Sequence, residues 1–301
     1  MKDLGLAAYF LRIEIFRSST RYFLSQRKYT KDLISLASLT DDKVVDTPLE
    51  LNVKYSRIDG EPLFDPALYR SIVGSLVYLT VTRPDIAYVV HIISQFMSDP
   101  HILHFTAVYH IIRYLRSIST MGLYYPSSSS SVLHVFSNAD YAGCLDTRRS
   151  TIENCIFIGQ SLLSWKSKKQ PTVSKSSTES EYRSMSSACG EIIWLQRLLQ
   201  DFGIFLTSPA PLYCGNESAA KIASNPIFHE RTKHIEVDCH FIRENFEQGL
   251  VTLPHVSSRE QLTDFFTKSQ TKSSHNFYRN KLMLFHYQSE GEYERKEQKL
   301  K

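Results

Sequence analysis

Cysteine is scarce in this sequence, and none of it is paired. The five residues (Cys144, Cys155, Cys189, Cys214, Cys239) are odd in number, and no two form a C-x-x-C pair. That pattern fits neither a zinc site nor a disulfide framework, and it suits a reducing compartment, so the expected location is cytoplasmic or nuclear. Long apolar runs are missing as well. No stretch reaches the ~18 residues of a membrane span, and the longest, at 72–82 and 86–97, are broken by polar side chains. No membrane partner and no secretory leader are expected. The nucleotide and hydrolase signatures are absent too: no P-loop, no G-x-G-x-x-G, no G-x-S-x-G and no H-E-x-x-H. Asp41-Asp42 is the sole Asp-Asp pair, and it lies in a polar connector, so it does not read as a polymerase metal site.

What is present is ordinary globular material. The 301 residues are 42% hydrophobic and 22% charged, enough for about two domains with packed cores. Charge is unevenly placed. Overall the chain carries +4, and residues 143–175 alone hold six basic side chains (Arg148, Arg149, Lys166, Lys168, Lys169, Lys175) against Asp146 and Glu153. The remainder is balanced. A concentrated basic segment is a candidate phosphate-contacting face, with a solvated loop face as the competing reading.

Periodicity organises the chain. Residues 9–29 read as a hairpin, with helices expected at 29–39, 67–81, 86–97 and 105–117. The serine run at 127–131 is the best linker. Beyond it, strands are expected at 132–138, 152–159, 161–166, 212–214 and 251–256. Helices are expected at 177–202, 217–224 and 233–248, with a last one from 259. The charged stretch from 288 onward predicts a frayed tail.

Several side chains could carry chemistry. Glu181 shares the face of the long helix that holds Tyr182, Met185, Ala188 and Ile192. It either closes a capping box over Thr178-Glu179-Ser180-Glu181 or offers a carboxylate to a cation at the sheet edge. Asn138 and Asp140, two apart at a strand end, face the same way or simply form a turn. Asp264 lies near a helix start, where a dipole alone accounts for an acid. His234 and Asp238 are i and i+4 and could begin a metal site, although a salt-linked helix face is the simpler reading.

At these residues the chain resembles the C-terminal end of the Pol polyprotein of copia-type LTR retrotransposons. The resemblance rests on Met1-Lys2-Asp3-Leu4-Gly5, on Tyr9-Phe10-Leu11 (with Arg12 where the family has glycine), and on Ser25-Gln26-Arg27-Lys28-Tyr29. Thr82-Arg83-Pro84-Asp85-Ile86, Asp146-Thr147-Arg148-Arg149-Ser150-Thr151, Ser176-Ser177-Thr178-Glu179-Ser180-Glu181 and Arg231-Thr232-Lys233-His234 continue it. It implies residues 1–126 as the last part of a reverse transcriptase (palm end, thumb and connection) and 127–131 as a linker. It further implies 132–270 as an RNase H-like domain and 271–301 as a helix and charged tail. The implied fold is α+β: a mixed five-stranded sheet with flanking helices, preceded by a smaller hairpin-plus-helices region.

The implied chemistry is hydrolysis of the RNA strand of an RNA/DNA hybrid by two magnesium ions held between shared carboxylates. Glu181 and Asp264 match two of the four carboxylate positions. The other two hold Asn138 and Gly215, leaving Asp140 as a candidate substitute. The family's glycine on the second strand has become Glu153. The resemblance therefore implies weak or absent magnesium binding and impaired cleavage, with RNA/DNA hybrid and upstream Pol segments as partners. The alternative is a non-catalytic nucleic-acid-binding remnant that uses residues 143–175.

Overall fold

Near the serine run the chain of this computed structural model divides into two compact units. One combines the residues up to 129 with those from 269 onward, and the other spans 130–268. The structure describes residues 6–58, 60–224 and 236–287. Among these, no helix is long and apolar enough to cross a membrane.

The first unit begins with β1 (Tyr9–Phe10), β2 (Ile13–Arg17) and β3 (Arg21–Ser25). Residues 9–29, read as a hairpin, hold three strands, because the chain also reverses at Leu11-Arg12, where φ is 46° and 61°. Two left-handed residues make the tight turn that suits twisted hairpins. Neither is Gly, Asn or Asp, so the usual turn signal is missing. Next come α1 (Arg27–Leu36), α2 (Ala67–Leu79), a 3₁₀ turn at Pro84–Ile86, α3 (Ala87–Ser94) and α4 (Ile102–Ser117). Buried Ile72, Leu76, Ile93, Val108, Ile111 and Leu115 form the core between them.

The sequence reading missed β4 (Met121–Pro126), which pairs with β3 along its length. Gly122 is required there, since a Cβ would collide with the Leu24 carbonyl. The segment from 271 onward is likewise more than a helix and tail. After α8 (Lys272–Lys281), β10 (Leu284–His286) pairs antiparallel with β4 and completes a sheet of order β1-β2-β3-β4-β10. The first unit is thus a five-stranded sheet with helices, with β10 as the edge strand beside β4. The expected tail from 288 lies outside the described residues.

The second unit has β5 (Leu133–Ala139), β6 (Thr151–Ile158) and β7 (Ser161–Lys169) as an antiparallel meander. The helix α5 (Ser177–Asp201) then leads to β8 (Ala210–Cys214), parallel to β5. After α6 (Glu217–Ser224) and α7 (Glu236–Glu247) comes β9 (Val251–Thr252), parallel to β8. The order β7-β6-β5-β8-β9 is the mixed sheet with flanking helices that the resemblance implied. Tyr182, Met185, Cys189, Ile192 and Leu195 of α5 pack on Leu133, Val135 and Leu212. The strand expected at 251–256 stops early, although His255 still bridges to Cys214. The last helix expected from 259 is a single 3₁₀ turn, Leu262–Phe266, because α8 belongs to the other unit.

Candidate active site

The start of α5 is fixed by its own cap, and this decides between the two readings of Glu181. The Ser176 hydroxyl accepts the Glu179 N–H at 3.1 Å, and the Glu179 carboxylate accepts the Lys175 N–H at 2.8 Å. The box therefore closes on Glu179, and Glu181 is released. One turn on, the Ser184 hydroxyl donates to the Asn138 carbonyl at 2.6 Å, docking the helix against the end of β5. Glu181 consequently lies at the carboxyl end of β5 and β8, in a cleft of about 440 Å³ that also exposes Asn138, Asp140, Gly215, Gln261, Asp264 and Lys268.

Four positions singled out in the sequence meet here: Asn138 at the end of β5, Glu181 on α5, Gly215 after β8 and Asp264 on the 3₁₀ turn. Two are carboxylates. Burial pushes Glu181 up to about 8, against the pull of the Ala139 amide and with the Asp264 charge adding to the rise. Its Oε2 is buried without a partner. Asp264 is engaged at both oxygens. The Asn138 amide donates to Oδ1 at 3.1 Å, and the Lys268 ammonium stands 2.7 Å from Oδ2.

Asp140 lines the cleft but belongs to its own turn. Its Oδ1 accepts the Thr151 N–H at 2.6 Å, and its other oxygen lies where a side chain on Gly143 would be. Among the described residues no group of three His, Cys, Asp or Glu is placed to hold a metal ion. The donor set also argues against two magnesium ions, which require several shared oxygens. Here one carboxylate is buried with a raised pKa and the other is taken up by an amide and an ammonium. The residues present do not fit the metal pair. A metal role for His234 with Asp238 lies outside the described residues, since His234 is not among them.

The sequence reading passed over two residues and gave no role in the cleft to a third. Gln261 is buried and ties the 3₁₀ turn to β5, donating from Nε2 to the Ser137 carbonyl at 2.9 Å. Lys268 sits four residues after Asp264, a spacing that could have been noticed. Glu153 is the least expected. It lies directly opposite Asn138 across the β5–β6 ladder, is fully buried, and neither carboxyl oxygen has a partner. Burial, then the charges of Asp140, Glu181 and Asp264, push it well above the usual carboxylate range. A charged residue inside the apolar run at 152–159 was the available signal.

Both raised acids hold their protons more firmly in the folded chain than in the unfolded one. Their contribution is complete below the ordinary value of 4.5 and is lost as pH climbs, through about 8 for Glu181. Replacing Glu153 with methionine, of similar length and without polar atoms, should therefore stabilise this unit by about 1–3 kcal/mol at pH 8. Denaturant melts at pH 5 and pH 8 test this, and an equal effect at both pH values would contradict it.

The basic segment is split by the fold. Lys166 pairs with Glu191 at 3.3 Å, and Lys169 lies 2.9 Å from the Cys144 sulfur. That contact, with one to Thr147, outweighs burial and lowers the Cys144 thiol. Arg148, Arg149, Lys168 and Lys175 are exposed, with Arg148 at a left-handed φ of 52°.

Comparison with known proteins now bears on this cleft. The chain is 41% identical over 282 residues to the retrovirus-related Pol polyprotein from transposon RE1 of Arabidopsis thaliana, covering 94% of this chain. The chain belongs to the Pol polyprotein family of copia-type retrotransposons. It spans about a fifth of the length of that Pol relative. An uncharacterized mitochondrial protein of Arabidopsis thaliana, AtMg00810, is 43% identical over 194 residues, which are 64% of this chain and 80% of that protein. Among solved structures, the compost-derived LC11-RNase H1 is similar at a TM-score of 0.35 and 11% identity, over 44% of this chain and 88% of that one. No protein-family model matches the chain. The unit at 130–268 is the part of the chain for which the resemblance implied an RNase H-like fold.

Proposed function

We propose that the RNase H-like unit binds RNA/DNA hybrid through its exposed cations and has lost efficient cleavage of the RNA strand. The observation that carries this reading is the cleft itself. Glu181 and Asp264 converge where β5, β8 and α5 meet, while the two companion positions offer an amide and no side chain at all. A cleft with this donor set has too few anionic oxygens to hold two divalent cations, so hydrolysis stays near background.

The exposed cations favour retained binding. Each phosphate neutralised by Lys or Arg releases counterions, so affinity falls steeply with salt. Changing Arg148, Arg149, Lys168 and Lys175 together to glutamine should weaken hybrid binding and flatten the log–log salt slope by about 3–4. Changing Lys166 alone should do little, since Glu191 already partners it. An unchanged slope in the fourfold variant would make the segment a solvated face.

A labelled-hybrid assay in magnesium tests the other half. Product near the no-enzyme level is expected, as is no primer extension with four nucleotides, since this chain has no strand-borne Asp-Asp pair. Efficient cleavage that Glu181→Gln removes would overturn the reading.

A further inference from the structure

We infer that the cleft supplies its own cation: the Lys268 ammonium and the Asn138 amide together occupy Asp264 in the place of a divalent metal. The inference rests on reading the cleft as the RNase H-like carboxylate site, and it says what has replaced the metal there.

The geometry is specific. Lys268 Nζ stands 2.7 Å from Oδ2 of Asp264, and Asn138 Nδ2 is 3.1 Å from Oδ1, so each oxygen meets a different donor. The 3₁₀ turn fixes the approach, because the Thr267 N–H and hydroxyl both return to the Asp264 carbonyl, at 3.4 and 3.2 Å. That closure leaves Lys268 one turn on, its side chain lying back over the acid. Gln261, bonded to the Ser137 carbonyl, holds the same turn against β5 and so keeps Asp264 within reach of Asn138.

Charge explains why an amide suits position 138. Its neighbour across the ladder is Glu153, a buried acid with both oxygens unpartnered. A carboxylate at 138 would face Glu153 on one side and Asp264 on the other, with no cation between them. The amide avoids repulsion with the Asp264 carboxylate and donates a hydrogen bond to it instead. An ammonium brings one charge and asks for one carboxylate, whereas a divalent ion asks for several. The pair Asp264–Lys268 closes its own charge and leaves little to attract a metal.

The test is calorimetric titration of the full chain with manganese chloride, with no nucleic acid in the cell. The unmodified chain is expected to show no saturable uptake. Asn138→Asp/Lys268→Met, which restores a third carboxylate and removes the resident cation, should gain uptake at least about tenfold tighter than either single variant. A merely structural ion pair would lower the melting temperature on removal without creating a metal site, so gained uptake is the discriminating result.

Saturable uptake by the unmodified chain, abolished by Glu181→Gln, would overturn the inference. So would a double variant that keeps its circular dichroism spectrum yet takes up no manganese. If the double variant does not fold, Lys268→Met decides alone, since that side chain is 60% exposed and its loss spares the core. Weak new uptake supports the inference and none refutes it. Because hybrid is absent from the cell, a failure of hybrid binding would leave this result intact.

Discussion

Asp85→Ala is expected to cost the first unit roughly 3–5 kcal/mol, a large share of the roughly 5–15 kcal/mol by which a domain is usually stable. Arg83 is about 1% exposed, and its guanidinium donates to both Asp85 oxygens, at 2.8 and 2.6 Å. The Tyr114 hydroxyl donates to the same carboxylate at 2.6 Å and lies 2.7 Å from His275 Nε2. Removing Asp85 strands a buried guanidinium with no counter-charge. Burial alone would raise the Asp85 carboxyl, but Arg83 and the Tyr114 hydroxyl hold it at about 2. Burial pushes His275 down to about 4, helped by Arg279 and Arg83 and opposed by Asp85.

Both shifts run downward, so their stabilisation is full above the ordinary values. It fades as pH falls from 6.5 toward 4 for His275 and from 3.8 toward 2 for Asp85. The second unit carries shifts of the opposite sign at Glu153 and Glu181. Calorimetry should therefore show two transitions that move in opposite directions between pH 5 and pH 8.5. In Asp85→Ala only the transition of the first unit should shift. A loss below 1 kcal/mol would mean that water had replaced the carboxylate.

The largest gain is expected from repairing the cleft. Made in a Lys268→Met background, Asn138→Asp with Gly215→Asp should give magnesium-dependent hybrid cleavage at least about 10²-fold above the parent, because residues that act as one unit are strongly non-additive. Adding Glu181→Gln should abolish it. The backbone tolerates the change at 215: its φ is not left-handed, and a Cβ would meet only Gln261 Nε2, at an ordinary 3.7 Å. Position 138 is harder, since Glu153 faces it. Adding Glu153→Gly, which restores the family's residue, should raise the rate of the repaired variant further. Equal rates with and without that added change would show that Glu153 does not oppose a carboxylate at 138.

The parts legible from sequence are those with local causes. The stripe of α5 follows a 3.6-residue period, β5 announces itself by alternation, and β6 and β7 by short strand-length runs adjacent along the chain. Glu181 was ambiguous because Ser176 and Thr178 each head a capping pattern, and only the helix start itself selects Ser176. Asp264 was placed through resemblance, on a turn too short to show periodicity. β4 and β10 were illegible for a different reason. Their register, Leu284 with Leu123, joins segments separated by the whole second unit, and three residues such as Leu-Phe-His carry no signal until a partner exists. Glu153 was legible as an oddity and became meaningful only through its cross-strand neighbour.

That register also fixes an order of events during synthesis. One edge of β4 stays open until residues 284–286 have left the ribosome, and the entire second unit is made in between. At 5–20 residues per second the wait is roughly ten seconds or more. During that wait the first unit carries an unpaired strand edge, while the unit downstream already has all of its strands. Of the two units, the one begun first is the one completed last.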